Sequence, residues 1–517
     1  MRSWLLLPVL ALPFIASLFL IDRRPDLALP RPRRMSESAS LDEFLVGSKR
    51  AFLASTGHFT IVVGNEAGGE CSFRATRRDT EEVSITPIPF ALDLDSMAAS
   101  IAYAYFLAQS TKEHTVVALQ QTAHADLFLR PENLATLRNA GIDTDHLLCY
   151  DDLPAAAWKD PRFSYVLVDH NKLLDQFEVE QDPAANERRV TGIIDHHADE
   201  GHHLTADPRT IKVVGSCSSL VTLHFSSLLS PSPTSTVDYR IPTTLAELLI
   251  AAIFIDTSLK LVVQGGKSTI DDEAAYSLLV PRLPFVVALQ QMNNTMANMS
   301  TPGLPAAPES ELDKVYRIEL QQKNEVLLAI KNDVMGMSGR DLLRRDYKEY
   351  VFDLPIDAGE GTPLSNSFRY GLATVPLSFA DWITSTSRTT KGTNEWTPIQ
   401  DAVVAWMQER NLNILGILTS FNLPPSKPGK RGKHVRQLFV AVIPLSYNPE
   451  ALEKVFEKME AVDNVIRLSK LEKAGGSETL LPSRTEAVMR VYQQGNEKAT
   501  RKQVAPLLLE KLEEIFA

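Results

Sequence analysis

Short apolar, β-rich runs recur through the first half of the chain at Phe59–Gly64, His114–Leu119, Tyr165–Val168 and Val190–Ile194. Near-continuous runs of this kind predict parallel strands buried on both faces. Met97–Gln109 lies among them with apolar residues at helical spacing, and Ser216–Leu229 and Thr243–Leu259 repeat that spacing further on. A long polar helix over Glu309–Val334 then leads out of this unit. From about Arg340 the texture changes, with strands expected at Tyr350–Leu354, Ile414–Thr419 and Leu438–Pro444 and helices at Thr397–Arg410 and Pro449–Val462. The expected architecture is an α/β domain with a parallel sheet over 46–310, a helical linker over 311–339 and a smaller α+β domain over 340–517.

The first residues stand apart. Trp4–Ile21 is nearly unbroken in its apolar character, behind Arg2 and ahead of Arg23 and Arg24. Such a run fits a membrane anchor. A Pro/Arg-rich stretch, Leu29–Arg34, follows it and leads to Met35, from which the chain reads as an ordinary polar start. Residues 1–34 are therefore either an anchor or a segment upstream of the true initiator. The cytoplasm is the expected location, with attachment to a membrane or organelle through residues 1–34 as the alternative.

Composition narrows the function. Of 517 residues, 44% are hydrophobic and 23% charged, which excludes a disordered or fibrous chain. A net charge of -11 argues against a general nucleic-acid binder, so a polyanionic partner must meet a local basic site. Cys71, Cys149 and Cys217 are too scattered for a disulfide framework or a zinc knuckle. The basic run Pro424–Arg436 reads as a solvated loop, with a polyanion guide as the alternative.

Three expected strands end in polar clusters: Asn65 after the first, Asp169-His170-Asn171 after Tyr165–Val168, and Asp195-His196-His197 after Val190–Ile194. The carboxyl ends of parallel strands share one crevice, so these groups should converge. Asp256 ends another apolar segment, and Asp93 and Asp95 open a helix. Taken singly, a His-His pair is usually a surface feature and Asp-x-Asp before a helix is usually a cap. Together, carboxylates with imidazole are the ligands that Mg²⁺ and Mn²⁺ select, and a pair of such ions suits phosphate hydrolysis.

Ile193-Ile194-Asp195-His196-His197-Ala198-Asp199 resembles the namesake motif of the DHH phosphoesterases, Val168-Asp169-His170-Asn171 their second acidic motif, and Phe254-Ile255-Asp256-Thr257 the fourth. Gly64-Asn65-Glu66 and Gly215-Ser216-Cys217-Ser218-Ser219 are similar to the exopolyphosphatase form; family II inorganic pyrophosphatases have histidine where Asn65 stands. Thr500-Arg501-Lys502-Gln503-Val504 resembles the phosphate-gripping motif of the pyrophosphatases, and Arg345-Asp346-Tyr347-Lys348 is also family-like. The resemblance implies a DHH domain followed by a DHHA2 domain and two divalent ions, Mn²⁺ or Mg²⁺. It places Asn65, Asp93 and Asp169 around one ion and Asp95, Asp169, His196 and Asp256 around the other, with Asp169 bridging. It further implies that His197 contacts substrate phosphate and supplies a proton, that Arg501 and Lys502 close over it, and that Arg345 and Lys348 belong to the same substrate site. Lys267 matches another basic position of the pyrophosphatase branch, a solvated loop lysine being the alternative. Ser216, Ser218 and Ser219 are expected to cap a helix beside the site, and Cys217 is a poor nucleophile.

The chain departs from the family in one place. Gly69–Leu92 interrupts the first motif, and removing it restores Gly64-Asn65-Glu66-Ala67-Gly68-Asp93-Leu94-Asp95-Ser96, the family spacing. Gly69-Glu70-Cys71 can be encoded around GTGAGT and Leu92-Asp93 around CTAG followed by AC, so the segment reads as a translated intron. The expected activity is exopolyphosphatase, acting on inorganic polyphosphate as a monomer or small homo-oligomer. A pyrophosphatase, a prune-like short-chain polyphosphatase or nucleotide phosphodiesterase, and a non-catalytic prune-like scaffold are the alternatives.

Overall fold

The computed structural model describes residues 41–65, 92–110, 115–179, 182–229, 241–299, 309–353, 367–386, 396–424, 432–443, 450–461, 465–471 and 487–516. The apolar run Trp4–Ile21 lies outside them, as does the interrupting segment apart from Leu92. Among the described residues no helix is long and apolar enough to cross a membrane.

The first half comprises α1 (Leu41–Ala54), β1 (Phe59–Val63), α2 (Leu94–Ser110), β2 (Thr115–Gln120), α3 (Pro131–Asn139), β3 (Leu148–Cys149), β4 (Phe163–Val168), β5 (Val190–Asp195), β6 (Arg209–Ile211), α4 (Cys217–His224) and α5 (Thr243–Thr257). All six strands are parallel, in the order β3-β2-β1-β4-β5-β6. Side chains alternate between two cores: Phe59, Ile61, Val63, Val117 and Leu167 enter one, and Val62, Val116, Val166 and Ile194 the other. Burial on both faces explains why the strands read as continuous apolar runs. The strand order reverses between β1 and β4, and a sheet of this kind binds ligands in the crevice outside the strand ends at that reversal.

Helix α2 is buried from Leu94 to Phe106, its apolar character running all round as in a core helix. The helix expected over Ser216–Leu229 is divided at Phe225, whose ring stacks on Phe106 at 4.9 Å between centroids. The expected linker is α6 (Glu309–Asn332), and it belongs to the first core through Tyr316, Leu320 and Leu327.

After α7 (Gly339–Arg344) comes a mixed sheet of β7 (Tyr347–Asp353), β8 (Ser367–Val375), β9 (Ile414–Thr419), β10 (Phe421–Asn422), β11 (His434–Val442), β12 (Leu468–Lys470) and β13 (Val488–Gln494), closed by α8 (Arg501–Phe516). Its order is β12-β13-β11-β9-β8-β7, with β10 on β11. Sequence pattern missed β8, where Gly371 interrupts the apolar run. The ring of Tyr347 fills the space there, so that an added Cβ would lie 2.6 Å from its Cε2. Of the basic stretch read as a loop, residues 425–431 lie outside the described residues and His434–Arg436 are strand, paired with β10 and β13.

Two arginines tie the halves together. Arg344 Nη1 meets Asp126 Oδ1 at 2.7 Å. Arg345, only 4% exposed, donates to Leu129 O at 2.7 Å and Lys331 O at 2.9 Å and faces Glu132 Oε2 at 3.4 Å. Arg345, expected to contact substrate, is enclosed here and gives its Nε and Nη2 to protein acceptors. Replacing Arg345 by Leu takes from the fully buried Glu132 the nearer of its two arginines, leaving Arg130 at 3.8 Å, and strands two carbonyls, and is expected to destabilise the protein by about 3 kcal/mol. Chemical denaturation measures this; a loss under about 1 kcal/mol would show that the arginine is not a strut.

Candidate metal centre

The polar clusters meet where the strand order reverses. Asp169 follows β4 with a φ of 66°, a left-handed conformation that aspartate tolerates better than most residues, and its N–H donates to Ile194 O at 2.9 Å. This turn sets the Asp169 carboxylate beside the residues that end β5. Asp169, His196 and His197 offer ligand atoms within 4.8 Å of one another. His196 Nε2 stands 3.1 Å and His197 Nδ1 3.7 Å from Asp169 Oδ1. Asp169 Oδ2 accepts from Ser96 Oγ at 2.5 Å, whereas Oδ1 is buried without a well-aligned hydrogen bond.

Asp93 and Asp95 lie between two helix N-termini. Asp93 Oδ1 accepts from Ser96 N at 3.0 Å, the ordinary helix cap, at the start of α2. Asp95 reaches across to α4, accepting from Cys217 N at 2.6 Å, Ser218 N at 2.9 Å and Ser216 Oγ at 2.7 Å. The serines therefore serve differently from expectation: Ser216 makes no side-chain cap on its own helix, and Asp95 supplies the cap from outside. Three of the roughly four lone-pair directions of that carboxylate are taken, leaving Oδ2 one bond for a cation. Asp256 sits in the last turn of α5, where the helix dipole disfavours an anion and favours a cation.

Each histidine is oriented by its second nitrogen. His196 Nδ1 faces Val214 O at 3.2 Å, which turns Nε2 toward Asp169. His197 Nδ1 donates to Asp195 Oδ1 at 2.9 Å, and the fully buried Asp195 is held from its other side by Asn171 Nδ2 at 2.5 Å. Asn171 also bonds Ala198 O and Glu200 N, lacing together the loops that follow β4 and β5. Reading by residue type named Asp195 and Asn171 within motifs without giving them a task; the task depends on contacts between strands.

The electrostatics favour a bound cation. Burial, with the fields of Asp93 and Asp95, pushes the Asp169 carboxyl up to about 6 despite its contact with His196. Burial and the fields of Asp95 and Asp93 drive Asp256 well above the carboxylate range. Burial opposes charge on His196, but its contact with Asp169 and the fields of Asp95 and Asp256 overcome that and raise it to about 10. Crowded carboxylates facing oriented imidazole are the donor set that a divalent ion relieves and neutralises. Asn65 is half-buried, and an added Cβ on its neighbour Gly64 would lie 2.7 Å from Leu92 Cδ2, so the two sides of the interrupted motif touch. A second trio, His124, Cys149 and Asp151, has similar spacing, but burial pushes its thiol up and Lys49 Nζ lies 3.4 Å from His124 Nε2, both of which oppose a cation. Burial likewise pushes the Cys217 thiol well up, consistent with a poor nucleophile.

The basic residues divide. Arg501, opening α8, pairs with Asp346 Oδ1 at 2.9 Å and donates to Asp346 O at 3.1 Å, which brings the Thr500–Val504 motif to the start of the strand carrying Lys348. Lys348 is half-buried and Lys502 exposed. Lys267 is exposed, its carbonyl 3.0 Å from where a Cβ on Gly215 would lie, beside the Gly215–Ser219 turn.

Comparisons with known proteins bear on the family of the chain. The N-terminal domain model of the DHH family matches residues 90–253, and the DHHA2 domain model matches residues 325–511. A Schizosaccharomyces pombe protein named "Putative exopolyphosphatase" is 27% identical over 432 residues, covering 82% of this chain and 89% of that protein. Mouse "Exopolyphosphatase PRUNE1" is 24% identical over 290 residues, 55% of this chain and 60% of that protein. The crystal structure named as a "putative family II inorganic pyrophosphatase" from Methanococcus jannaschii superposes with a TM-score of 0.39 and 17% identity, over 82% of this chain and 96% of that one.

With its pKa near 10, His196 carries a proton in the metal-free protein at neutral pH, and an imidazole ligand must lose it. Mn²⁺ affinity is therefore expected to rise at least about tenfold per pH unit between roughly pH 7 and 9, with about one proton released by His196 and any held by Asp256 released besides. Calorimetric titration in buffers of different protonation enthalpy measures both quantities, and a flat affinity would remove His196 from the ligand set.

Proposed function

Because the chain belongs to the DHH phosphoesterases, with a DHH domain followed by a DHHA2 domain, we propose that it is a metal-dependent exopolyphosphatase that removes terminal phosphate from inorganic polyphosphate. The observation that carries this reading is the crowded, buried carboxylate–imidazole group at the sheet reversal, with a cationic motif on the second domain. The S. pombe relative, matched over 89% of its length, carries an exopolyphosphatase name.

In this reading Asn65, Asp93 and Asp169 hold one divalent ion, Mn²⁺ or Mg²⁺, and Asp95, Asp169, His196 and Asp256 hold the other. Bound there, the ions neutralise phosphoryl oxygens and lower the pKa of water so that hydroxide is available near neutral pH. The chain's own residues do the rest. Asp195 fixes the Nδ1–H of His197, leaving Nε2 to face substrate. Burial opposes charge on that ring, but the hydrogen bond to Asp195 and the field of Asp169 raise its pKa above the usual histidine value, which suits a donor of a proton to the departing phosphate. Arg501, Lys502 and Lys348 grip phosphates of the chain, with Lys267 as a further cation at the rim. Burial pushes the Asp346 carboxyl up, but the fields of Arg501, Arg130 and Arg345 hold it below its usual range, so Asp346 steadies Arg501 as an anion.

Phosphate release from long-chain polyphosphate, pyrophosphate and a cyclic nucleotide, with Mn²⁺ or Mg²⁺, tests the proposal. Release from polyphosphate is expected to lead, and Asp169→Ala to lower it by more than about a hundredfold, since even partners behind a ligand are worth ten- to a hundredfold. Preference for pyrophosphate or for short chains would make it a pyrophosphatase or prune-like enzyme instead, and metal binding without turnover would make it a scaffold. A chain lacking Gly69–Leu92, which joins Gly68 to Asp93 and restores the family spacing, is expected to match or exceed the full chain in the same assay. Lower turnover in the shortened form would contradict the intron reading.

A further inference from the structure

We infer that Gln121, Thr122 and Asn133 are positioning residues whose side chains hold both sides of the interrupted ligand turn, Gly64–Asn65 and Leu92–Asp93, by hydrogen bonds to its main chain. This rests on the metal-dependent reading of the site. Strand register supplies the placement: Val63 of β1 pairs with Leu119 of β2, so Gln121 and Thr122 emerge beside the residues that leave β1. Gln121 Nε2 donates to Gly64 O, while its Oε1 accepts from Gln176 Nε2 at 2.8 Å, which fixes the amide. Leu92 N donates to Thr122 Oγ1 at 3.0 Å, and Asn133 Nδ2, on α3, donates to Leu92 O at 2.9 Å. Gln121 is 0%, Thr122 1%, Asn133 2% and Leu92 1% exposed, so water does not substitute for these bonds.

The contacts grip the peptide units next to Asn65 and Asp93. Each acts on a carbonyl or an N–H, so any residue standing before Asp93 can be held in the same way, Gly68 included when Gly69–Leu92 is removed. The absence of a Cβ at Gly64 matters here, because one would lie 2.7 Å from both Leu92 Cδ2 and Ser96 O and would force the two sides apart. Ligands tolerate displacements of only about 0.5 Å, so a clamp on the flanking peptides decides whether the interrupted motif still binds metal.

The test uses the full chain and Mn²⁺ alone, with binding followed by electron paramagnetic resonance of the free ion. Thr122→Val removes the acceptor while keeping the side-chain shape, and is expected to weaken Mn²⁺ binding at least tenfold, within the roughly ten- to hundredfold typical of groups behind a ligand. Thr122→Ser, which retains the hydroxyl, is expected to restore it. Thr419→Val is the control: its hydroxyl is as deeply buried, bonded to Gln437 N at 2.7 Å in the second sheet, and its loss should leave Mn²⁺ affinity unchanged. Should Thr122→Val not fold, Gln121→Met decides by the same criterion. Unchanged affinity in the folded variant, with the parent chain binding Mn²⁺, overturns the clamp and spares the metal reading. A parent chain that binds no Mn²⁺ overturns both.

Discussion

Repulsion among carboxylates that the fold crowds together is the constraint around which the molecule is arranged. Burial raises the Asp169 and Asp256 carboxyls, and the fields of Asp93 and Asp95 raise them further. A protein tolerates this only where packing elsewhere outweighs it and where fixed dipoles oppose the charge. Both conditions are met. Helix N-termini face Asp93 and Asp95, the Ser96 hydroxyl and His196 face Asp169, and a parallel sheet buried on both faces supplies the packing.

The same few elements meet several demands at once. The first turn of α3 carries Glu132, which faces Arg345 of the second half, and next to it Asn133, which holds the peptide before Asp93. The docking of the second sheet and the seating of Asp93 thus share one helical turn. At the other end of this junction Arg501 is held by Asp346, adjacent to Arg345. A change in how the halves pack therefore acts on both the basic motif and the interrupted turn through short covalent paths.

Much of this was legible before any coordinates. Strands buried on both faces write themselves as apolar runs, so β1, β2, β4 and β5 were visible, while β3 and β6, of two and three residues, were too short to show a pattern. Asp93 accepts from Ser96 N, as an acid before a helix commonly does, but the partner of Asp95 was not legible, because the N-terminus it caps is 122 residues away. Arg345 reads as one more cation in a basic motif, and only its burial against Leu129 O and Glu132 makes it a strut.

The order of residues by itself determined that strand ends would carry acids and histidines into one crevice, because hydrophobic period and polar punctuation are local properties of the chain. It also carried the resemblance to the DHH phosphoesterases, through the motifs around Asp169, Asp195 and Asp256, each of which is continuous in the chain. Tertiary structure alone decided which way those groups point. The left-handed turn at Asp169, the reversal of strand order between β1 and β4, and the meeting of Gly64 with Leu92 all depend on contacts between residues distant in sequence, whose energies no local pattern records.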